Sequence, residues 1–220
     1  MSTKSHPTWF AIVRWLVRVF FFRCGGGFKS SGWENIPANG PVIIAPNHVS
    51  NADPPAVACG GRRPMRFMAK EELFGGFFGV VCRSLGAFPV KRGEGDTESI
   101  RFSIEILEAG EALVVFPEGV RGDAVTMNPI SRGVAMLAKR TGVPVVPAGI
   151  VGTHRKMPRG STLPKFAPVS IVYGKPFTYA EVATGANERE NREIFCRELE
   201  RRIIELCAAQ GLPLKTFEKN

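Results

Sequence analysis

The sequence lacks the residues that disulfide-stabilised and metal-binding proteins need in quantity. It holds five cysteines and three histidines among 220 residues, and no two cysteines form a Cys-x-x-Cys pair. An odd number of scattered cysteines argues against a disulfide framework and a structural zinc site, and is typical of the reducing cytoplasm. We therefore expect no metal, and we expect each cysteine to be a small buried apolar side chain.

The sequence also lacks an apolar run long enough to cross a membrane. The best candidate, residues 9–22, is interrupted by Arg14 and Arg18. As a helix it would span about 21 Å, which is less than the ~30 Å hydrocarbon core of a bilayer. A secretory signal would lack these internal arginines and would end in a small-residue cleavage site, which Phe20-Phe21-Phe22-Arg23 does not offer. We expect neither a membrane span nor a signal peptide here.

This segment has instead the pattern of an in-plane membrane helix. Arg14 and Arg18 lie one turn apart on one face, and large apolar side chains fill much of the remainder. Such a helix lies at the bilayer surface with its arginines reaching lipid phosphates. The alternative is an amphipathic helix docked on the protein's own core. We predict a membrane-surface segment over residues 1–27 and one domain over residues 28–220.

Nucleic-acid-binding motifs are absent, although the chain is basic. Lys and Arg exceed Asp and Glu by nine, and the pI is near 9.7. This excess favours anionic partners such as nucleic acid, a membrane leaflet or an acidic substrate. Since only two tyrosines are present for stacking on bases, we expect membrane lipids or an acidic substrate, and no nucleic acid.

Strand and helix patterns alternate along the rest of the chain. Short apolar runs predict strands at residues 41–45, 66–68, 87–90, 112–116, 144–150 and 169–173. Helical periodicity predicts one helix that follows Asp96-Thr97 and stops at Gly110, and two more from about residue 130 to 140 and 187 to 209. This order predicts a single α/β domain with a mostly parallel or mixed central sheet flanked by helices.

Polar residues follow the first of these strands. His48 and Asp53 stand five positions apart in a turn, and Pro54 follows where a helix could begin. If the chain re-enters a helix, the Asp53 carboxylate can bind one imidazole nitrogen of His48 and leave the other to accept a proton. The alternative is that Asp53 caps the next helix and His48 only fills the turn.

A second polar turn follows the strand predicted at residues 112–116. Pro117 and Gly119 break the strand and leave Glu118 and Arg121 at its carboxyl end. Ligands of open α/β sheets bind beyond such strand ends. Arg121 offers a planar fork for phosphate oxygens, and Glu118 could hold it or a glycerol hydroxyl. The alternative is a surface turn with a local Glu–Arg pair, worth ~1 kcal/mol or less.

Together these motifs resemble those of the 1-acylglycerol-3-phosphate acyltransferase family of glycerophospholipid acyltransferases. Four ordered blocks carry the resemblance: residues 47–53, residues 68–73 with 86–92, residues 116–121, and residues 143–147 with 173–176. Ordered blocks are far more specific than one motif. The chain departs from the family pattern at Val120, where Thr or Ser is more usual, and at residues 130–133. These departures leave the acceptor headgroup open.

The resemblance implies an acyltransferase at the cytoplasmic face of a membrane. His48 would deprotonate the sn-2 hydroxyl of 1-acylglycerol 3-phosphate, which then attacks the thioester of acyl-CoA or acyl-carrier protein, while Asp53 orients His48. No metal or other cofactor is implied. The residues that would hold the glycerol phosphate are Glu118, Gly119 and Arg121, with Arg92 and Lys70 as weaker candidates.

Other functions have less support in the sequence. A serine hydrolase would need a Gly-x-Ser-x-Gly elbow, which is absent. A metal enzyme would need a second histidine beside His48 and Asp53, and His154 is more typical of a loop. An acyltransferase for another lysolipid and a non-catalytic lipid-binding relative remain as alternatives.

Overall fold

A seven-stranded sheet forms the centre of the molecule. The computed structural model describes residues 7–70, 74–90, 95–161 and 163–217. The strands of the central sheet are β1 (Phe28–Ser31), β2 (Val42–Pro46), β3 (Met65–Lys70), β4 (Ala87–Val90), β5 (Ala112–Val114), β7 (Val145–Val151) and β8 (Val169–Tyr173). Their order is β1-β8-β7-β2-β5-β3-β4. A separate two-stranded sheet pairs β6 (Thr126–Met127) with β9 (Lys215–Thr216).

The strands from β7 to β4 in this order are all parallel, and β8 and β1 run in the opposite direction. Strand β2 lies between β5 and β7, so Ile44 stands opposite Val114 on one side and Val146 on the other. Every residue of β2 is buried. A strand buried on both faces is continuously apolar, and this explains the apolar run that precedes His48.

Helices cover both faces of the sheet. The helices are α1 (Pro7–Leu16), α2 (Asp53–Gly60), α3 (Gly76–Ser84), α4 (Gly95–Glu108), α5 (Arg132–Thr141), α6 (Thr153–Lys156), α7 (Tyr179–Val182) and α8 (Glu188–Ala208). One cluster of buried apolar residues lies on each face of the sheet. The first packs Val42 and Ile44 against α1 and α2, and the second packs Ile43 and Ala45 against α4, α5 and α8.

This architecture confirms the predicted mostly parallel α/β fold. Each strand predicted from an apolar run is present, with ends that differ by a few residues. Strand β1 was not predicted, because its burial alternates and Phe28 is its only large apolar residue. Helix α2 begins at Asp53, where Pro54 indicated that a helix could begin. Helix α3 was not predicted, because it is short and contains Gly76 and Gly79, which are poor helix formers.

The N-terminal helix packs one face on the core and exposes another. Helix α1 continues as a π-helical segment, Val17–Arg23, and Phe10, Val13 and Phe22 are buried in the first core cluster. The exposed large apolar side chains of these two helices are Trp9, Ile12, Trp15, Leu16 and Phe20. Within the described residues, no helix is both long and apolar enough to span a bilayer.

The predicted cationic stripe is wrong for Arg14. Its guanidinium donates a hydrogen bond to the carbonyl oxygen of Gly61, the residue that follows α2. Arg14 therefore caps the carboxyl end of a helix, where a cation is favoured by the unpaired carbonyls. Arg18 is exposed and lies over the Phe28 ring, 5.5 Å from its centroid.

The cysteines are all free, but their burial varies. Cys59 and Cys207 are buried, and burial raises the pKa of each thiol to about 12. Thiols in such surroundings are poor nucleophiles. Cys24 is exposed, so the expectation that every cysteine is buried is wrong there.

Candidate active site

The carboxyl ends of β2, β5 and β7 lie side by side at one edge of the sheet. Asn47, the residue after β2, fixes two of these ends. Its side chain donates to the carbonyl oxygen of Ile150 at 3.0 Å and accepts from the Ile150 backbone N–H at 2.7 Å. The turns that follow β2 and β5 carry the residues singled out in the sequence.

His48 and Asp53 are in direct contact. The distance from His48 Nδ1 to Asp53 Oδ2 is 2.8 Å. Because a carboxylate oxygen accepts, the imidazole proton lies on Nδ1 and Nε2 keeps its lone pair. The predicted contact between these residues is thus present, and it fixes the orientation of the imidazole ring.

The turn itself is organised around the Asp53 carboxylate. Oδ2 also accepts from the backbone N–H groups of Val49 and Ser50, each at 2.7 Å. Asp53 is fully buried and is the first residue of α2. Its carboxylate therefore binds the turn before the helix rather than acting as an ordinary N-cap.

The His48 ring is held from a second side by Phe116. The two rings are stacked, with centroids 4.1 Å apart and an interplanar angle of 29°. Phe116 follows β5, whereas His48 follows β2, so the stack joins the two turns. The side chain of His48 remains partly accessible at 18 %. The imidazole thus has a fixed plane and an open edge.

Glu118 joins the same two turns through hydrogen bonds. Its Oε1 accepts from the backbone N–H of His48 at 2.7 Å, and its Oε2 accepts from the Asn128 N–H at 2.9 Å and from Asn128 Nδ2 at 3.0 Å. Glu118 is buried, and this burial raises the pKa of its carboxyl, although the hydrogen bonds oppose the shift.

The predicted pairing of Glu118 with Arg121 is absent from the described structure. Arg121 Nη1 instead donates to Asn51 Oδ1 at 3.0 Å. Asn51 belongs to the turn that carries His48, so Arg121 lies at the same site, in a partly exposed position. Gly119 is exposed with a φ of 68°, a left-handed conformation that favours glycine and lets the chain turn between Glu118 and Arg121.

The two weaker candidates from the sequence, Lys70 and Arg92, do not belong to these two turns. Lys70 is the last residue of β3, the strand beside β5. Arg92 lies outside the described residues.

Sequence reasoning missed Asn128 and the role of Asn51. The Asn128-Pro129 dipeptide signals a turn, but nothing in the sequence links Asn128 to a carboxylate ten positions earlier.

His154 lies at the carboxyl end of β7, in the short helix α6. Burial and the neighbouring Arg155 lower the pKa of His154, while the negative charge of Asp53 opposes the shift. Its Nδ1 is buried without a hydrogen-bond partner in the described structure. Among the described residues, no group of three histidine, cysteine or acidic side chains is arranged to hold a metal ion.

Comparison with known proteins gives a family match across this site. The model of the family described as Acyltransferase matches residues 27–151, which include both turns. A 1-acyl-sn-glycerol-3-phosphate acyltransferase of Bacillus subtilis is 31 % identical over 185 residues, covering 82 % of this chain and 88 % of the relative.

Two further comparisons agree with this match. A chloroplastic 1-acyl-sn-glycerol-3-phosphate acyltransferase of Brassica napus is 28 % identical over 73 % of this chain, which spans 48 % of that relative. The crystal structure of PlsC, a 1-acyl-sn-glycerophosphate acyltransferase from Thermotoga maritima, aligns with a TM-score of 0.70 and 26 % identity. That alignment covers 90 % of this chain and 80 % of the Thermotoga chain.

Proposed function

This chain belongs to the acyltransferase family, and from that premise we propose that it acylates the sn-2 hydroxyl of 1-acylglycerol 3-phosphate to give phosphatidic acid. The observation that carries the proposal is the hydrogen bond from His48 Nδ1 to Asp53 Oδ2, 2.8 Å long, at the carboxyl edge of the sheet. The relatives from Bacillus subtilis and Thermotoga maritima, which are named for this reaction, support the choice of acceptor.

His48 acts as the general base in this proposal. Nε2 takes the proton from the sn-2 hydroxyl as the oxygen attacks the thioester carbonyl carbon of the donor. The carbon–sulfur bond then breaks, and the thiolate leaves with the proton that His48 returns. Asp53 keeps the ring in the productive tautomer and stabilises the imidazolium while it exists. Either acyl-CoA or acyl-carrier protein can supply the thioester, and no cofactor takes part.

Arg121 holds the acceptor phosphate in this proposal. Its guanidinium lies at the rim of the site, anchored through one nitrogen on Asn51. The remaining N–H groups of a guanidinium can then meet phosphate oxygens in a fork geometry. We assign Gly119, Lys70 and Arg92 supporting contacts with the same headgroup. Glu118 serves this region indirectly, since both of its carboxylate oxygens are hydrogen-bonded to the protein.

The acceptor is a membrane lipid, so we also propose that the protein works on the cytoplasmic face of a bilayer. The exposed Trp9, Trp15 and Phe20 of the N-terminal helices support surface contact. Large aromatic side chains favour the interface between headgroups and acyl chains. Five free cysteines support a reducing compartment.

An acyl-transfer assay tests the proposed function. The purified chain is given a panel of lysophospholipids with acyl-CoA or acyl-carrier protein as donor, and the products are identified by mass spectrometry. We expect 1-acylglycerol 3-phosphate to be the preferred acceptor. Preference for another headgroup would identify a different lysolipid acyltransferase. Absence of transfer to every acceptor would leave a non-catalytic lipid-binding protein.

A further inference from the structure

The segment between α6 and β8 carries the two most exposed large apolar side chains among the described residues. Phe166 is 83 % exposed and Leu163 is 75 % exposed. Phe20, in the π-helical segment, is 66 % exposed. These three residues are called the loop patch below. Phe20 and Phe166 line a common hollow of about 510 Å³, together with Phe21, Gly25, Lys156, Pro164 and Lys165.

Hydrogen bonds fix the loop to the end of the N-terminal helices. The Ala167 backbone N–H donates to the Gly25 carbonyl oxygen at 2.9 Å. Lys156 Nζ donates to the same oxygen at 2.5 Å, and it lies 5.3 Å from the centroid of the Phe21 ring. Lys156 is almost fully buried, so this ammonium is a structural tie. The loop patch therefore belongs to one surface, although its parts are more than 140 positions apart in the sequence.

The charge around this surface has one sign. Residues 7–33 contain four basic residues and no acidic residue, and residues 153–168 contain another four and again no acidic residue. The exposed members are Arg18, Arg23, Lys29, Arg155, Arg159 and Lys165. Apolar side chains ringed by cations fit a bilayer that contains anionic lipid, because the cations meet phosphates while the apolar groups enter the acyl region. A protein partner with acidic groups would also be attracted to these cations. The protruding apolar side chains favour a fluid lipid bilayer instead.

The loop also begins at the active site. The Met157 carbonyl oxygen accepts a hydrogen bond from Ser50 Oγ at 2.8 Å. Ser50 lies in the turn that carries His48 and donates its backbone N–H to Asp53. A bilayer in contact with the loop would thus lie close to the turn that holds the proposed base.

We propose that the loop patch is a second membrane-contact element, which docks the protein on an anionic lipid bilayer beside its active site. The proposal rests on the proposed function for its purpose, since docking here shortens the path of a lipid acceptor to His48. It extends the contact proposed for the N-terminal helices, with which it shares Phe20, because Leu163 and Phe166 are contributed by the loop before β8.

Sedimentation with vesicles tests this docking surface. The unmodified full chain should sediment with vesicles of phosphatidylglycerol and phosphatidylcholine more strongly than with phosphatidylcholine alone. Changing both Leu163→Ser and Phe166→Ser should weaken the binding to anionic vesicles by about tenfold or more, because two large apolar groups no longer enter the acyl region. Lys165→Gln should weaken it by about fivefold, and more salt should weaken binding further.

Matched controls come from α5, in the helix layer on the opposite face of the sheet. Met136 and Arg140 are exposed there, so Met136→Ser and Arg140→Gln repeat the same chemical changes away from the patch. Both controls should bind vesicles like the unmodified chain. Turnover of a short-chain acceptor dispersed as monomers should be the same in the patch variants, the controls and the unmodified protein.

Three results would overturn the proposal. The first is unchanged binding of anionic vesicles by both patch variants, which would suit a protein partner instead. The second is equal binding to neutral and anionic vesicles. The third is a loss of monomer turnover that matches the loss of vesicle binding, since the patch would then support the fold or the site. Failure of the proposed function would look different. The unmodified chain would then transfer no acyl group, but its vesicle binding could still be compared with that of the patch variants.

Discussion

Glu118 accepts a hydrogen bond from the backbone N–H of His48 over 2.7 Å, so a residue predicted to bind the acceptor holds the turn that carries the proposed base. The same carboxylate binds Asn128 through its other oxygen. Two segments that lie 70 and 10 positions from Glu118 in the sequence thus meet at its buried carboxylate. In this structure the Glu118 carboxylate holds the turn of His48 and does not pair with Arg121, which binds Asn51 instead.

Replacing Glu118 by glutamine tests this positioning role. Glutamine places its amide nitrogen either against the His48 N–H, which loses one hydrogen bond, or against the two Asn128 donors, which lose both of theirs. In each case donor faces donor. We expect Glu118→Gln to reduce the free energy of unfolding by ~1–3 kcal/mol and to lower kcat with little change in the acceptor KM. Thermal denaturation and steady-state kinetics measure the two effects.

The exposed Glu105 on α4 provides the control for this change. Glu105→Gln alters the same group at a solvent-facing position and should change neither quantity by much. An unchanged melting temperature with a raised acceptor KM in Glu118→Gln would show that Glu118 binds the acceptor after all.

His48→Ala should abolish acyl transfer while the protein stays folded. Without the imidazole, no group at the site takes the proton of the attacking hydroxyl, and loss of a positioned base typically costs ~10²–10⁴-fold in kcat. The ring also stacks on Phe116, so circular dichroism and thermal melting must accompany the kinetics. Near-normal turnover by a folded His48→Ala protein would disprove the proposed mechanism.

Asp53→Asn tests the tautomer of His48 separately. An asparagine amide that donates to Nδ1 would move the ring proton to Nε2 and remove the lone pair that accepts the substrate proton. We expect most of kcat to be lost, and the acceptor KM to change little. The Val49 and Ser50 N–H groups also bind this carboxylate, so the variant should be less stable than the unmodified protein. A stable variant with full activity would show that the carboxylate does not orient the base.

The sequence predicted the elements of this site better than their connections. The apolar runs of β2 and β5 predicted two strand ends, and the short spacing of His48 and Asp53 predicted their contact correctly. Helical re-entry after Asp53 is a local event, so five positions suffice to bring the carboxylate back to the ring. Asn128 reaches Glu118 directly after β6, a two-residue strand that pairs with β9 near the other end of the chain. No periodicity reveals such a pairing.

The N-terminal helix shows the same limit. Its amphipathic pattern predicted a helix with a wide apolar face, and left open whether a membrane or the protein's own core would meet that face. Phe10 and Val13 pack on the core, while Trp9 and Trp15 are exposed. The role of Arg14 could not be predicted, since its partner is the carbonyl group of Gly61, 47 positions later. A helical pattern tells which residues share a face, but it does not tell which face meets the core.

Acid should destabilise the protein in part through His154. Burial lowers its pKa below the ordinary value of 6.5, so between pH 6.5 and the lowered pKa the unfolded chain binds a proton that the folded chain does not. Stability from this group is therefore present above pH 6.5 and is lost as the pH falls. We expect the melting temperature of His154→Gln to fall less than that of the unmodified protein when the pH is lowered from 7 to 5. The two proteins differ at this residue alone, so the difference between their curves reports on His154, and parallel curves would contradict the prediction.

Arg121 is expected to determine the affinity for the acceptor. Arg121→Ala should raise the KM for 1-acylglycerol 3-phosphate by roughly ten- to a hundredfold, since charge-assisted contacts with a phosphate are worth ~1.5–3 kcal/mol. The KM of the acyl donor should change much less, because its carrier binds elsewhere. Arg121→Lys should restore little, since a single ammonium cannot reproduce the guanidinium fork. Steady-state kinetics with each substrate varied in turn measure these effects.

Asn51→Ala is the matched control for this assignment. It removes the oxygen that anchors Arg121 at 3.0 Å and leaves the guanidinium charge in place, so it should raise the acceptor KM by less than Arg121→Ala does. A fall in kcat with both KM values unchanged in Arg121→Ala would mean that the arginine stabilises the transition state instead. If no kinetic parameter changes, Arg121 is only a partner of Asn51 at the surface, and the acceptor phosphate must be bound by other residues of the site.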